Sequence, residues 1–102
     1  MGAVLIYRKK ITVIHRRTLE VGVCELKVWK VPESLHYPDK VKYSLFLVSR
    51  ASGKVLVGID NHKPKGPHLH RGDKETPFLV RGGVDGLVED FWRMVDEEGF
   101  EV

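Results

Sequence analysis

Three of the five histidines in this chain fall within nine residues, at positions 62, 68 and 70. Histidine titrates near neutral pH and also binds metals, so a cluster of imidazoles can transfer protons or hold an ion. Carboxylates that can orient the rings and cations that can contact a phosphate lie in the same stretch. We call residues 60–73 the histidine segment. Its candidate site residues are Asp60, Asn61, His62, Lys63, Lys65, His68, His70, Arg71 and Asp73.

The histidine segment suits cleavage of a phosphodiester without a metal. One neutral histidine would accept a proton from the attacking hydroxyl, and one protonated histidine would give a proton to the leaving oxygen. We expect His68 and His70 to serve as acid and base, with His62 assisting, and no cofactor is required. RNA is the natural substrate because its 2′-hydroxyl is an internal nucleophile. The other predicted roles are phosphate binding by Lys63, Lys65 and Arg71, ring orientation by Asp60 or Asp73, and bracing of the loop by Asn61.

Two other functional interpretations of the histidine segment are open. His62, His68 and His70 can hold a metal such as zinc together with a carboxylate, and the bound water can hydrolyse an ester. His-x-His is a loose ligand pattern, however, and the chain has no His-Glu-x-x-His motif and no cysteine pair. The segment can also be a non-enzymatic surface that binds nucleic acid or protein through its lysines and arginines.

The non-functional interpretation is a polar loop whose histidines are capped by backbone groups. We favour that interpretation for His15 and His36, which stand alone in the sequence. Three histidines in nine residues, with carboxylates on both sides, favour a functional site instead.

The distribution of charge suits an anionic partner, and the alternative is a solvated surface of mixed charge. The net charge is +3, but residues 85–102 carry −6 and residues 1–84 therefore carry +9. A basic body of this kind suits nucleic acid. Hydrophobic residues make up 42% of the 102 residues, which predicts a single globular domain over residues 1–102.

Composition also bears on the cellular setting. Cys24 is the only cysteine, which excludes an internal disulfide and a cysteine zinc site. The apolar run at residues 1–6 is too short for a membrane span, and the charges that follow it do not fit a secretory signal, so we expect a cytoplasmic protein. The chain has no glutamine and only one asparagine, which with its 30% charged residues suggests a thermophilic source.

Apolar alternation predicts a sheet that positions the histidine segment. The expected strands cover residues 4–14 (as one strand or two), 19–31, 41–50, 55–59 and 76–80. A bulge is predicted near Gly22 to Cys24, and residues 51–54 have the composition of a hairpin turn. The return strand runs straight into Asp60, so the histidine segment begins where a rigid strand ends. If His68 to His70 is extended, both rings project on one side about 7 Å apart along the backbone.

The C-terminal residues predict an amphipathic helix. Its apolar positions follow helical spacing at Val84, Leu87, Val88, Phe91, Trp92 and Val95. Asp85 is the predicted N-cap, and Gly99 the residue just past the helix, with Phe100 folding back. The predicted fold is α+β: a curved antiparallel sheet of about five strands with this helix packed on one face. Exposed strand edges make a homodimer a further expectation.

The chain resembles the TumE family of toxin components of prokaryotic toxin–antitoxin systems. The similarity is in the order of its segments together with the histidine pattern, and the matching segments are residues 5–8, 28–34, 41–45, 60–62, 67–70 and 89–92. The resemblance implies a small growth-inhibiting toxin encoded beside an antitoxin that carries a DNA-binding helix-turn-helix. It implies no particular reaction, so the chemistry is predicted from the residues alone.

Overall fold

The computed structural model describes residues 2–102, which form an antiparallel sheet of seven strands and one helix. The sheet order is β6-β5-β4-β3-β2-β1-β7, and the sheet curls into a half-barrel. The elements are β1 (Val4–His15), β2 (Val21–Lys30), β3 (Val41–Ser49), β4 (Val55–Asp60), β5 (His68–Arg71), β6 (Lys74–Pro77), α1 (Gly83–Glu97) and β7 (Phe100–Glu101).

The core lies between α1 and one face of the sheet. Leu87, Phe91, Met94 and Val95 are buried on the helix. They meet alternate residues of the central strands, among them Cys24, Leu26, Val28, Leu45, Leu47, Val57 and Ile59, all of which are fully buried. Each large apolar side chain buried in this way contributes about 1.5–3 kcal/mol, so the helix is held mainly by this face. The opposite face of the sheet is left uncovered by α1.

The predicted combination of an antiparallel sheet with one C-terminal helix is confirmed, but the expected five strands are seven. The two additional strands are β5 and the two-residue β7. The predicted strand at 76–80 is displaced to Lys74–Pro77, because Gly72 and Asp73 make a tight turn after β5 and the chain returns at once. Residues 4–14 form one continuous strand, and residues 51–54 make the predicted hairpin turn between β3 and β4.

The predicted bulge near Gly22 to Cys24 is wrong. β2 pairs with both neighbours without a register shift at that point, and the irregularity lies in β1 between Leu5 and Tyr7. Gly22 and Cys24 belong to the same buried row as Leu26. The row of inward-facing positions is continuous from Gly22 to Val28, because Gly22 occupies an inward-facing position that side chains of neighbouring residues fill.

The helix begins earlier than predicted. Gly82 is the N-cap residue, so the predicted N-cap, Asp85, lies inside the first turn. There its carboxylate still interacts favourably with the helix dipole. The predicted C-terminal end is confirmed: Gly99 follows the C-cap residue with φ of 94° and Phe100 folds back into the core. No helix within residues 2–102 has the length and apolar character needed to cross a membrane.

Candidate functional site

Asp60, His68 and His70 of the histidine segment lie on the face of the sheet away from α1. Asp60, the last residue of β4, pairs across the sheet with His68, the first residue of β5. His70 pairs in the same way with Gly58. Directly paired residues share a face and alternate residues point the same way, so Asp60 and both imidazoles lie on one side. The intervening Ile59 is buried on the helix side.

One carboxylate joins the two rings. Asp60 Oδ1 lies 3.0 Å from His68 Nε2, and Asp60 Oδ2 lies 3.0 Å from His70 Nε2. The two ring centroids are 4.6 Å apart. The backbone N–H of His62 also donates to Asp60 Oδ1, at 3.1 Å, which fixes the carboxylate from the loop side. The predicted role of Asp60 in orienting a ring therefore has a geometric basis for both rings at once.

His68 has acceptors at both ring nitrogens. Its Nδ1 lies 2.7 Å from the carbonyl oxygen of Gly66, and because a carbonyl oxygen only accepts, Nδ1 carries a proton. Its Nε2 faces Asp60 and also Glu75 Oε1, at 3.3 Å. Each of these partners is a hydrogen-bond acceptor. The side chain is only 9% exposed, so these groups surround its ring nitrogens.

His70 is more accessible and has one nitrogen without a hydrogen-bond partner. Its Nε2 is engaged by Asp60, and no hydrogen bond of residues 2–102 involves its Nδ1. The ring packs beside Phe46, with centroids 5.3 Å apart. Phe46 can lie there because Gly58 has no side chain: a Cβ at position 58 would come within 2.2 Å of the Phe46 ring. His70 is thus held by a carboxylate and an aromatic ring while Nδ1 can accept a proton.

Glu75 and Lys65 form the outer wall of the site. Lys65 Nζ lies 2.7 Å from Glu75 Oε1, the oxygen that also faces His68 Nε2. The hydrogen bond from Lys65 lowers the pKa of Glu75, and the positive charges of Lys65, His68 and His70 lower it further, although desolvation acts in the opposite direction. An anionic group therefore already lies between an ammonium and an imidazole.

The remaining predicted site residues separate into two groups. His62 is exposed and borders the same cavity of about 410 Å³ as His68 and His70, and Lys63 and Lys65 border it too. Asn61 ties the start of the loop to β3, because its side chain accepts from the N–H of Tyr43 at 2.9 Å and donates to the carbonyl of Val41 at 2.8 Å.

Arg71 and Asp73 lie outside the cavity. Arg71 pairs with Glu98, at 2.8 Å, near the end of α1. Asp73 is exposed in the turn between β5 and β6, and within residues 2–102 no hydrogen bond or ion pair joins it to a histidine. The predicted phosphate contact of Arg71 and ring contact of Asp73 thus have no geometric support here. Strand alternation is the reason for the position of Arg71, since Arg71 is paired with Val57, which faces the helix.

Three contributors were not predicted from the sequence: Glu75, the Gly66 carbonyl and Phe46. Recognising the Gly72–Asp73 turn would have placed Glu75 opposite His70, as the pairing of β5 with β6 does. No local signal identifies Phe46, because it reaches His70 only through the register of β3 against β4.

The same residues can accommodate a divalent cation. Asp60, His68 and His70 each offer one ligand atom, and these atoms lie within 4.8 Å of one another. The Gly66 carbonyl at His68 Nδ1 is the kind of second partner that metal-bound histidines have. His62, the third predicted ligand, does not belong to this group.

A separate cavity of about 330 Å³ lies under the loop on the helix side and shares no lining residue with the histidine cavity. The buried Tyr43 contributes to its wall, and its hydroxyl has no hydrogen-bond partner within residues 2–102. Burial raises the pKa of the Tyr43 phenol, and the charges of Asp60 and Asp39 raise it further, so this hydroxyl stays protonated.

The fold and the site define a small, single-helix sheet protein that carries a histidine pair bridged by a carboxylate on its open face. The family model described as Toxin TumE matches residues 4–98, and the chain belongs to that family. This confirms the resemblance, makes the chain a toxin-like component and indicates an antitoxin as its partner in general. No curated protein and no solved structure matches the chain.

Proposed function

We propose that this toxin is a metal-independent endoribonuclease whose acid–base pair is His68 and His70. The observation that supports it best is the sharing of one carboxylate by two imidazoles in different environments. Rings with different neighbours hold different protonation states at the same pH, which a reaction needing one acid and one base requires.

His70 is the proposed general base. Asp60 accepts a hydrogen bond from the N–H of His70 Nε2, which leaves Nδ1 free to take a proton from the 2′-hydroxyl of the substrate. The carboxylate also stabilises the imidazolium that forms. This is the role that a carboxylate has toward the histidine of a serine protease. The 2′-oxygen then attacks the adjacent phosphorus and the bond to the 5′-oxygen breaks.

His68 is the proposed general acid, and it gives its Nε2 proton to that leaving 5′-oxygen. The phosphate would replace the exposed Glu75 carboxylate, which now lies between Lys65 Nζ and His68 Nε2. Lys65, once released from Glu75, and Lys63 at the cavity edge would then stabilise the phosphorane charge, with His62 assisting. Arg71 has no part in this arrangement.

The test uses a single-stranded RNA of mixed sequence incubated with purified protein in EDTA. We expect fragments that end in 2′,3′-cyclic phosphate. A single 2′-deoxy substitution at the cleaved position should abolish cleavage there, because it removes the nucleophile. Intact RNA in the presence of folded, growth-inhibiting protein would refute the proposal.

Three alanine variants assign the roles. His68→Ala and His70→Ala should each lower the cleavage rate about 10²–10⁴-fold, the usual contribution of a positioned acid or base. His36→Ala is the matched control, since His36 is exposed and does not border the histidine cavity. Growth inhibition that persists in both site variants, but follows the lysines, would instead indicate a non-enzymatic binding module.

A metal-dependent hydrolase is the second candidate, favoured by the convergence of ligand atoms from Asp60, His68 and His70. Water would then be the nucleophile, so the 2′-deoxy substrate would still be cleaved and the products would carry a hydroxyl and a phosphate monoester. EDTA would abolish activity, and zinc or another divalent ion would restore it.

The partner can be proposed more narrowly than the family states. We expect an antitoxin with a helix-turn-helix, produced with the toxin in the cytoplasm. Co-expression of such a neighbour should restore growth and co-purify with the toxin. The mass of the free toxin in solution tests the expected homodimer.

A further inference from the structure

An aromatic residue and a lysine lie side by side on the open face of the sheet, next to the histidine cavity. Trp29 on β2 pairs directly with Lys42 on β3. Lys42 Nζ lies over the indole, 5.6 Å from its centroid. Trp29 is half-buried, so part of a large planar ring is exposed, and the flexible side chain of Lys42 lies over it.

This pair is continuous with the histidine site. Trp29 and Lys42 line a depression of about 260 Å³ whose other walls include Asp60 and His62. Asp60 and His62 also line the cavity that contains His68 and His70. A chain that crosses the histidine cavity in this direction therefore reaches the indole next.

Positive charge continues beyond Trp29 on the same face. Arg8 on β1 pairs with Lys27 on β2, and Lys27 pairs with Ser44 on β3, so these side chains share a face with Trp29 and Lys42. Glu25 is the carboxylate that contacts both Arg8, at 3.1 Å, and Lys27, at 3.6 Å. One negative charge lies between two positive ones, and the surface remains positive overall.

We propose that Trp29 and Lys42 form a subsite that stacks an unpaired nucleobase of a single-stranded nucleic acid whose phosphate lies at His68 and His70. The subsite rests on the proposed function only for the chemistry that follows binding. An aromatic ring stacks on the face of any base, and flanking cations contact the phosphates. The base would displace Lys42 from the indole and leave its ammonium free for the backbone.

The same geometry predicts that the subsite prefers single-stranded nucleic acid to a duplex. The bases of a duplex are stacked on each other and do not present a face to a protein side chain. A ring held against a sheet cannot enter a helix to reach them. The subsite therefore selects single-stranded regions, loops or ends over a duplex of the same sequence.

The two tryptophans allow the test to be made by fluorescence. Trp92 lies on α1, packs against Phe91 and is covered by Lys9, so it reports the opposite side of the molecule. Trp92→Phe leaves Trp29 as the only emitter, and Trp29→Phe leaves Trp92. The probes are a single-stranded oligouridylate and an abasic strand of the same length and charge, added in EDTA to protein carrying His70→Ala so that no cleavage occurs.

We expect the oligouridylate to quench Trp29 and to leave Trp92 emission unchanged. The abasic strand should bind more weakly and produce no comparable quenching. Trp29→Ala should weaken oligouridylate binding about tenfold while affecting the abasic strand little. If either single-tryptophan variant fails to fold, the two indole N–H resonances of the otherwise unaltered chain report the same contacts by NMR.

Three outcomes would overturn the subsite: absence of binding, equal quenching by the abasic strand, or binding that leaves the Trp29 signal unchanged. These results are independent of catalysis. A chain that stacks oligouridylate on Trp29 but never cleaves RNA would keep the subsite and refute the nuclease. Cleavage of RNA without any change in the Trp29 signal would keep the nuclease and refute the subsite.

Discussion

Histidines at the two ends of the sheet have opposite kinds of surroundings. On the β1 side, His15 Nδ1 accepts the backbone N–H groups of Arg17 and Thr18, at 3.1 and 3.2 Å, and the ring packs edge-on against Phe100. On the β5 side, His68 and His70 face a carboxylate and line an open cavity.

This difference separates an imidazole that is held by the backbone from one that keeps a ring nitrogen without a partner. The Nδ1 of His15 is occupied by backbone donors that no substrate can replace, so the ring closes a turn. Asp60, in contrast, binds the far nitrogen of His70 and leaves the other nitrogen available. The identity of the partner, and not the presence of histidine, determines the chemistry.

The largest expected effect comes from removing the charge that joins the pair. Asp60→Asn keeps the shape but puts an amide against the two Nε2 atoms, so the tautomer of His70 is no longer specified. We expect a loss of cleavage rate of about 10²–10⁴-fold, by analogy with an amide replacing the carboxylate of a catalytic triad. Asp96→Asn, which removes the 2.8 Å ion pair of Arg16 next to His15, is the control and should leave the rate unchanged. Equal losses of cleavage rate in Asp60→Asn and Asp96→Asn would contradict the proposed difference between His15 and the pair of His68 and His70.

A smaller effect is expected when the packing beside His70 is changed. Gly58→Ala places a methyl group within 2.2 Å of the Phe46 ring, and Phe46 must move against His70. We expect stability to fall by about 1–3 kcal/mol from overpacking and the cleavage rate to fall as well. Gly2→Ala, where a Cβ meets nothing within 4 Å, is the control. A variant with normal activity would show that Phe46 does not position the ring.

At the β1 end of the sheet, a glycine-to-alanine change beside His15 should lower the stability of the protein and leave the cleavage rate unchanged. Gly99→Ala combines a φ of 94° with a Cβ 2.4 Å from His15 Nε2. The expected loss is about 1–2 kcal/mol in urea unfolding, because an L side chain is strained in this region of backbone conformation. The cleavage rate per folded molecule should be unchanged. Lost activity at full stability would contradict the structural role of His15.

The smallest expected effect is the contribution of Glu75 to the pH dependence of stability. The lowered pKa of Glu75 means that its ionised form is stabilised by folding. Its contribution is therefore present above the ordinary value of 4.5 and is lost as pH falls through the lowered value. Wild type and Glu75→Gln should differ slightly in urea midpoint at neutral pH and converge in acid. Glu33→Gln, at an exposed position of the β2–β3 connection, is the control. A difference that grows as pH falls would have the wrong sign.

Much of the fold was predictable because its signals are local. Alternation gave the central strands, helical spacing gave α1, and Gly99 marked its end. The strands that differ from the prediction were harder to predict: β7 has two residues and depends on its pairing with β1, while the presence of β5 and the position of β6 depend on a two-residue turn. The false bulge arose because a buried glycine interrupts an apolar pattern without interrupting the strand.

The sequence indicated which residues of the histidine segment belong to the candidate site, but it did not indicate most of the residues that contact them. The density of histidines identified Asp60, His68 and His70, which belong to one stretch of chain. Glu75 and Phe46 reach the site from other strands, so only the pairing register brings them there. Arg71 was misplaced for the converse reason: a neighbour in sequence points to the opposite face of a strand.

The position of α1 has a consequence for control. The helix covers one face of the sheet, while the histidines open on the other, and within residues 2–102 α1 does not fold over them. Within the described residues the fold therefore offers no helix that shields the histidines. Shielding them would need a second molecule, and the family indicates an antitoxin as a partner in general.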